Sequence, residues 1–263
     1  MVVLIYLVAG MSSRFGGNVK QMAKVGPNGE SLIEYSVKQA LHNKFSKIIF
    51  ITNRKTEHLF REIFGDVYDG VDVMYVEQIY DVNERTRPWG TTDAICSISG
   101  LFDEPFIMVN GDDLYGTNTF KLGYDMVHDS HDNFIGCVKM NKLIPEDGKN
   151  VNRGVIFVKN GKVTEMKEML NININNCPEI LAEYGNVNFI CLQPNILRFL
   201  NKLLDNFKKD NIGNNSIECL LPDSLNTLIQ NNLLDMKFFE ITDEILGITH
   251  PGDEIGIAKI LSK

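Results

Sequence analysis

The sequence predicts an α/β protein: a mixed, mostly parallel sheet flanked by helices, with a small β subdomain in its second half. Three observations lead there. Apolar, strand-like runs alternate with amphipathic, helix-like segments through the first half, which is the pattern of parallel strands joined by helical crossovers. The second half trades that alternation for a strong hairpin signal, Asn160-Gly161 between two strand-like runs. The 263 residues, 44% hydrophobic and 23% charged, suffice for one full core.

Each element has a local reason. Residues 2–8 form an unbroken apolar run, as expected of a strand buried on both faces. The run breaks at Gly10 into a loop of small residues that carries Arg14 and is soon followed by Lys20. Ser31 and Glu34 then have capping-box spacing, which predicts a helix over 32–41. Residues 47–52 read as a second strand, 56–64 as a short amphipathic helix, 71–77 as an alternating strand and 92–101 as a helix. Residues 106–109 are another apolar run, ending in Asn110-Gly111-Asp112-Asp113. Residues 154–158 and 163–169 flank the Asn-Gly pair, which suits a type I′ turn. An Asn-rich tract over 171–176 reads as a loop, 187–192 as a strand, 196–207 as an amphipathic helix, 237–241 as a strand and 252–261 as a closing helix. The expected organisation is a single domain with two halves, 1–132 and 133–263, and no internal repeat.

The net charge of −8 excludes bulk nucleic-acid binding, and any anionic ligand must be drawn in by local cations. The cysteines (96, 137, 177, 191 and 219) are odd in number and lack any C-x-x-C, which points to reduced thiols rather than disulfides or a zinc site. The first strand has no basic leader, and no segment approaches the ~20 apolar residues of a membrane span. These features predict a cytoplasmic protein of small-molecule partners, with neither nucleic acid nor membrane among them. A homo-oligomer stays open.

In open α/β sheets, ligands sit beyond the carboxyl ends of the strands. The Gly10 loop and the Asp112 turn both fall there. A loop of small residues lets backbone N–H groups point at phosphate oxygens, and Arg14 and Lys20 can neutralise the remaining charge. The spacing fits neither the dinucleotide fingerprint nor the P-loop. A carboxylate at a strand end suits a hard cation that bridges anionic oxygens while keeping waters of its own. The cluster of His and Asp over 128–132 reads as a solvated helix end. No Ser/His/Asp or Cys/His arrangement stands out as a nucleophile.

The run Leu7-Val8-Ala9-Gly10-Met11-Ser12-Ser13-Arg14, followed by Lys20, resembles the opening loop of the sugar-1-phosphate nucleotidyltransferases. Trp89-Gly90-Thr91-Thr92 and the Asp112 turn resemble two further motifs of that family. The resemblance implies a Rossmann-like, nucleotide-diphospho-sugar transferase fold. It implies Arg14 at the β- and γ-phosphates, Lys20 between the reacting phosphates and Asp112 as a Mg²⁺ ligand. Leu7, Ala9, Gly10, Lys20, Gln78, Gly90 and Thr91 would bind the nucleoside triphosphate, with a pyrimidine base. Asn110, Gly154, Glu168 and Asn188 would bind the sugar 1-phosphate, a carboxylate being able to accept two hydroxyl bonds at once.

One segment departs from the family. Residues 245–253 resemble W-x-D-x-G-T-P, whose Asp is a second metal ligand, but Gly247 stands in its place. Either Asp253 replaces that ligand, or Asp112, phosphates and water suffice. The expected activity is transfer from UTP to N-acetylglucosamine 1-phosphate or glucose 1-phosphate. The alternatives are a cytidylyltransferase acting on a polyol or choline phosphate, a nucleotide-sugar-dependent glycosyltransferase, and a non-catalytic nucleotide-sugar sensor, the last favoured by Gly247.

Overall fold

The computed structural model describes residues 1–10 and 19–262. Strands β1 (Val2–Leu7), β2 (Phe45–Thr52), β3 (Val67–Tyr68), β4 (Val71–Glu77), β5 (Phe106–Asn110) and β6 (Asp113–Leu114) come first, with helices α1 (Leu32–Ala40), α2 (Glu57–Phe64) and α3 (Thr91–Cys96) between them. Then follow α4 (Thr117–Asp129), β7 (Asn133–Lys139), β8 (Val151–Lys159), β9 (Lys162–Ile172) and β10 (Tyr184–Leu192). The chain continues through α5 (Ile196–Asp210), α6 (Leu221–Gln230), β11 (Met236–Glu240), β12 (Leu246–Gly247) and α7 (Asp253–Leu261).

Ten strands form one sheet in the order β3-β4-β2-β1-β5-β10-β7-β11-β9-β8, and β6 pairs with β12 apart from it. The parallel character read from the sequence holds for β4-β2-β1-β5. Beyond β5 the sheet is mixed: β10 runs antiparallel to β5, β7 and β8, the β8–β9 hairpin is antiparallel, and β7 and β11 are parallel.

Successive strand residues face opposite sides of a sheet, and β1 supplies two cores in that way. Val3 and Ile5 join Ile49, Met108 and Ile190 beneath α3, α5 and α6. Leu4 and Tyr6 join Phe50, Phe120 and Phe189 beneath α1, α2 and α4. On the second face the Phe50 ring lies 4.7 to 5.8 Å from those of Tyr6, Phe60, Phe64 and Tyr75, and this aromatic stack holds α2 on the sheet. Leu197, Leu200 and Leu204 of α5, at helical spacing, face the first core.

The capping box is formed: Glu34 N donates to Ser31 Oγ at 3.3 Å, and Ser31 N to Glu34 Oε2 at 3.4 Å. The helix expected over 92–101 ends instead at Cys96. There the Ser97 hydroxyl donates to Ala94 O at 2.6 Å, a bond that competes with helical pairing, and the chain tightens into turns. The tract expected as a loop over 171–176 begins inside β9, which runs to Ile172. Among the described residues no helix is long and apolar enough to cross a membrane.

Candidate functional site

Two cavities open beyond the ends of β1 and β5. The larger, about 410 Å³, is lined by Leu7, Ala9, Gly10, Lys20, Gln78, Gly90, Thr91 and Asp112, together with Gln21, Arg87 and Glu218. The smaller, about 280 Å³, is lined by Gly154, Glu168 and Asn188, joined by Asn152, Arg153 and Asn186. Leu7, Thr91 and Asn110 belong to both, so the two cavities meet there. Every expected site residue except Arg14 therefore lines one or both of two joined cavities. Arg14 lies outside the described residues.

The larger cavity owes its wall to the turn before α3. Gly90 has φ +100°, and a β-carbon there would lie 2.6 Å from Cys219 O. That close approach is locked, since Cys219 N donates to Trp89 O at 2.7 Å and Thr92 N to Cys219 O at 3.0 Å. Gln78, buried, donates from Nε2 to Gly90 O at 2.9 Å and to Asp93 Oδ2 at 2.8 Å. It thus reaches the turn directly, although residues 79–88 intervene in sequence. Arg85 braces that intervening segment. Its guanidinium lies 3.4 Å from the Trp89 ring centroid and donates to the carbonyls of Asn214 at 2.7 Å and Ile217 at 2.5 Å. A cation over an indole face is attractive, more so when shielded from water.

At the end of β5, Lys20 forms an ion pair with Asp112, and its ammonium also donates to Ile248 O at 3.3 Å. Asp113, next along, accepts from Asn110 Nδ2 at 3.0 Å. Burial, then the neighbouring charge of Asp112, pushes its carboxyl up to about 7. A divalent cation is the group that the family resemblance implies at Asp112, whose carboxylate and the nearby Ile248 carbonyl are oxygen donors of the kind such a cation takes, although no group of three or more acidic, His or Cys side chains lies there among the described residues. Asp112 and a backbone carbonyl already hold a cationic group, the Lys20 ammonium, in the way that oxygen ligands would hold a metal. Asp253 does not replace the missing carboxylate of residue 247. Its Oδ2 accepts the N–H groups of Thr249 and His250, both at 2.8 Å, and so serves the turn before α7. The His and Asp cluster over 128–132 is indeed a polar helix end, where His128 pairs with Asp129 and Asp132 with Lys237.

In the smaller cavity Gly154 stands opposite Glu168 in the β8–β9 hairpin. Burial raises the Glu168 carboxyl, the charge of Asp223 adds to this, and Arg153 opposes it. Asn188 takes a left-handed backbone, φ 57°, at an irregularity in the pairing of β10 with β7. Asparagine tolerates that conformation better than most residues. Its N–H donates to Asn186 Oδ1 at 2.8 Å, and Asn186 Nδ2 donates to Asn188 Oδ1 at 3.0 Å. Asn186 was not foreseen, because its pairing with Asn188 depends on that irregularity, which breaks the strand alternation a sequence pattern would show.

The family described as nucleotidyl transferase matches residues 17–168, more than half of the chain. The chain belongs to the nucleotidyl transferase family. The resemblance drawn from its loop and turn motifs is thereby borne out, and this nucleotidyltransferase shares its fold with several solved structures. One is a protein from Bacillus anthracis assigned as a glucose-1-phosphate thymidylyltransferase, in complex with sucrose: TM-score 0.76 and 12% identity, over 100% of this chain and 96% of that one. The inositol-1-phosphate CTP transferase of T. maritima gives 0.68 and 16%, over 100% and 95%. A UDP-glucose pyrophosphorylase complexed with UDP-glucose gives 0.69 and 16%, over 99% and 98%. Among curated proteins none matches the chain in sequence.

Proposed function

We propose that this nucleotidyltransferase converts a nucleoside triphosphate and a sugar 1-phosphate into a nucleotide sugar and pyrophosphate. UTP with N-acetylglucosamine 1-phosphate or glucose 1-phosphate is the first pair to test. The observation that carries the reading is the Lys20–Asp112 pair in the larger cavity, beside Asn110, where the two cavities meet. One cavity would take the triphosphate and the other the sugar, so the acceptor phosphate meets the α-phosphorus next to a cation and a carboxylate. The halves 1–132 and 133–263 would supply most of the nucleotide side and most of the sugar side, with Asn110 crossing to the sugar and Glu218 to the nucleotide.

The acceptor phosphate has a second pKa of about 6, so it arrives mostly as a dianion and needs no general base. One of its oxygens bonds to the α-phosphorus in line. The bond from that phosphorus to the α–β bridging oxygen breaks, and its electron pair leaves with pyrophosphate. Positioning and charge neutralisation then supply the catalysis. Lys20 neutralises the reacting phosphates, Arg14 the β- and γ-phosphates, and Asp112 would hold Mg²⁺. When bound, Mg²⁺ would add positive charge against the phosphate oxygens. Leu7, Ala9, Gly10, Gly90 and Thr91 hold the nucleotide, with Gln78 fixing the Gly90 turn. Gly154, Glu168, Asn110 and Asn188 read the sugar hydroxyls.

The test is pyrophosphate release across four nucleoside triphosphates and a panel of sugar and polyol phosphates, with Asp112→Ala beside the wild type. Release with one pair, lost in the variant, supports the reading and names the substrates. CTP with a polyol or choline phosphate as the sole active pair would select the cytidylyltransferase. Silence with every pair, despite nucleotide-sugar binding, would overturn the reading in favour of a sensor.

A further inference from the structure

The two-residue pair of β6 with β12 closes the Asp112 turn, and within it Gly247 stands opposite Asp113. Glycine is not required at 247 by conformation, since its φ is not positive. What it provides is space. A β-carbon on residue 247 would lie 2.1 Å from Asp113 Oδ1, so the Asp113 carboxylate already fills the place where a side chain from β12 would go. The two oxygens of that carboxylate differ in use. Oδ2 accepts from Asn110, which fixes the group, while Oδ1 points across the bare backbone of Gly247. The next residue of the same strand end, Ile248, donates its N–H to Asp112 O at 3.0 Å and offers its carbonyl to the Lys20 ammonium that rests on Asp112.

We infer that Asp113 is the second carboxylate of the divalent-cation site, supplied from β6 in the space that Gly247 leaves open on β12. The inference rests on the reading above, in which Asp112 holds the cation. Residue 247 is then a partner of the site rather than a lost ligand. A small hard cation that keeps several waters needs only one or two carboxylates from the protein, and adjacent residues can supply both. The Lys20 ammonium, which rests on Asp112, neutralises part of the charge of the two carboxylates, and a cation held by them would leave it free to meet the phosphates.

Mn²⁺ alone tests this, titrated into the metal-free full chain and followed by the electron paramagnetic resonance signal of the unbound ion. Asp113→Asn keeps the size of the side chain and an oxygen for Asn110, and removes only the charge. It should weaken Mn²⁺ binding by about tenfold or more. The exchange Asp113→Ala with Gly247→Asp returns a carboxylate to the same space from the other strand and should recover most of the loss. Where the exchanged chain fails to fold, Asp113→Asn decides alone, with circular dichroism as the check. Asp113→Asn binding Mn²⁺ as tightly as wild type, while Asp112→Ala does not, would overturn the inference and leave the proposed function standing. Undiminished binding in Asp112→Ala as well would bring down both. Loss of Mn²⁺ in both single variants, with no pyrophosphate release from any substrate pair, would uphold the cation site and refute only the transferase.

Discussion

Replacing Gly90 by alanine perturbs the wall of the larger cavity in two ways at once. The residue sits at φ +100°, ψ −172°, a region that costs a residue with a side chain on the order of 1–3 kcal/mol. The added β-carbon also meets Cys219 O at 2.6 Å and Cys219 N at 2.9 Å, well inside ordinary contact. Relief requires residue 219 to retreat, but its N–H and carbonyl are tied to Trp89 and Thr92. Losing one such bond adds about 1 kcal/mol. The expected destabilisation is therefore about 3 kcal/mol, read as a shift of the urea midpoint at constant slope. Because Gln78 and Thr91 are anchored to the same turn, KM for the triphosphate should rise more than KM for the acceptor. A Gly90→Ala protein within about 0.5 kcal/mol of wild type, the usual range of neutral surface changes, would refute the reasoning.

Three further outcomes follow from named side chains. Lys20→Ala should lower kcat by about 10²- to 10³-fold with little change in the melting temperature, because it removes charge stabilisation at the reacting phosphates; steady-state turnover measures it. Glu168→Gln should raise KM for the sugar phosphate by about tenfold while leaving KM for the triphosphate alone, since only the smaller cavity loses an acceptor; separate titrations of the two substrates check this. Glu30 is held down to about 2, first by its own backbone N–H, then by the Asn28 side chain. A carboxyl lowered on folding stabilises the native chain above its unfolded value of about 4.3, and that stability is lost as the pH falls toward 2. Denaturant midpoints between pH 5 and pH 2 should accordingly fall less steeply in Glu30→Gln than in wild type.

The parallel block was legible because its strands are buried on both faces and so read as unbroken runs such as Val2 to Leu7. Less was legible after β5. Helix α4 carries Gly123 mid-helix, a poor helix former placed there by the Phe189 ring, which a β-carbon would meet at 2.5 Å. Strand β7 is likewise interrupted by Gly136, packed against Phe239 and Ile241. Helix α6 begins at Leu221 and carries Pro222 in its first turn, where a proline belongs although it breaks a helix interior. The site residues stood out where one short stretch carries the chemistry, as in the Gly10 loop and the Asp112 turn. Arg85 and Asn186 did not. Two of the carbonyls that hold Arg85 lie 129 and 132 residues away, and the cooperation of Asn186 with Asn188 depends on an irregularity in β10. The role of Gly247 was legible only as an absence until the pairing of β6 with β12 set Asp113 beside it.

In the proposed reaction an acceptor phosphate oxygen bonds to the α-phosphorus of a nucleoside triphosphate. The direct measurement uses the active substrate pair with ¹⁸O in the phosphoryl oxygens of the sugar 1-phosphate, followed by ³¹P NMR and mass spectrometry of the products. All of the label should appear in the nucleotide sugar, none in pyrophosphate, and the two products should form in equal amounts. Nucleoside monophosphate in place of nucleotide sugar, or label in the pyrophosphate, would contradict that reaction.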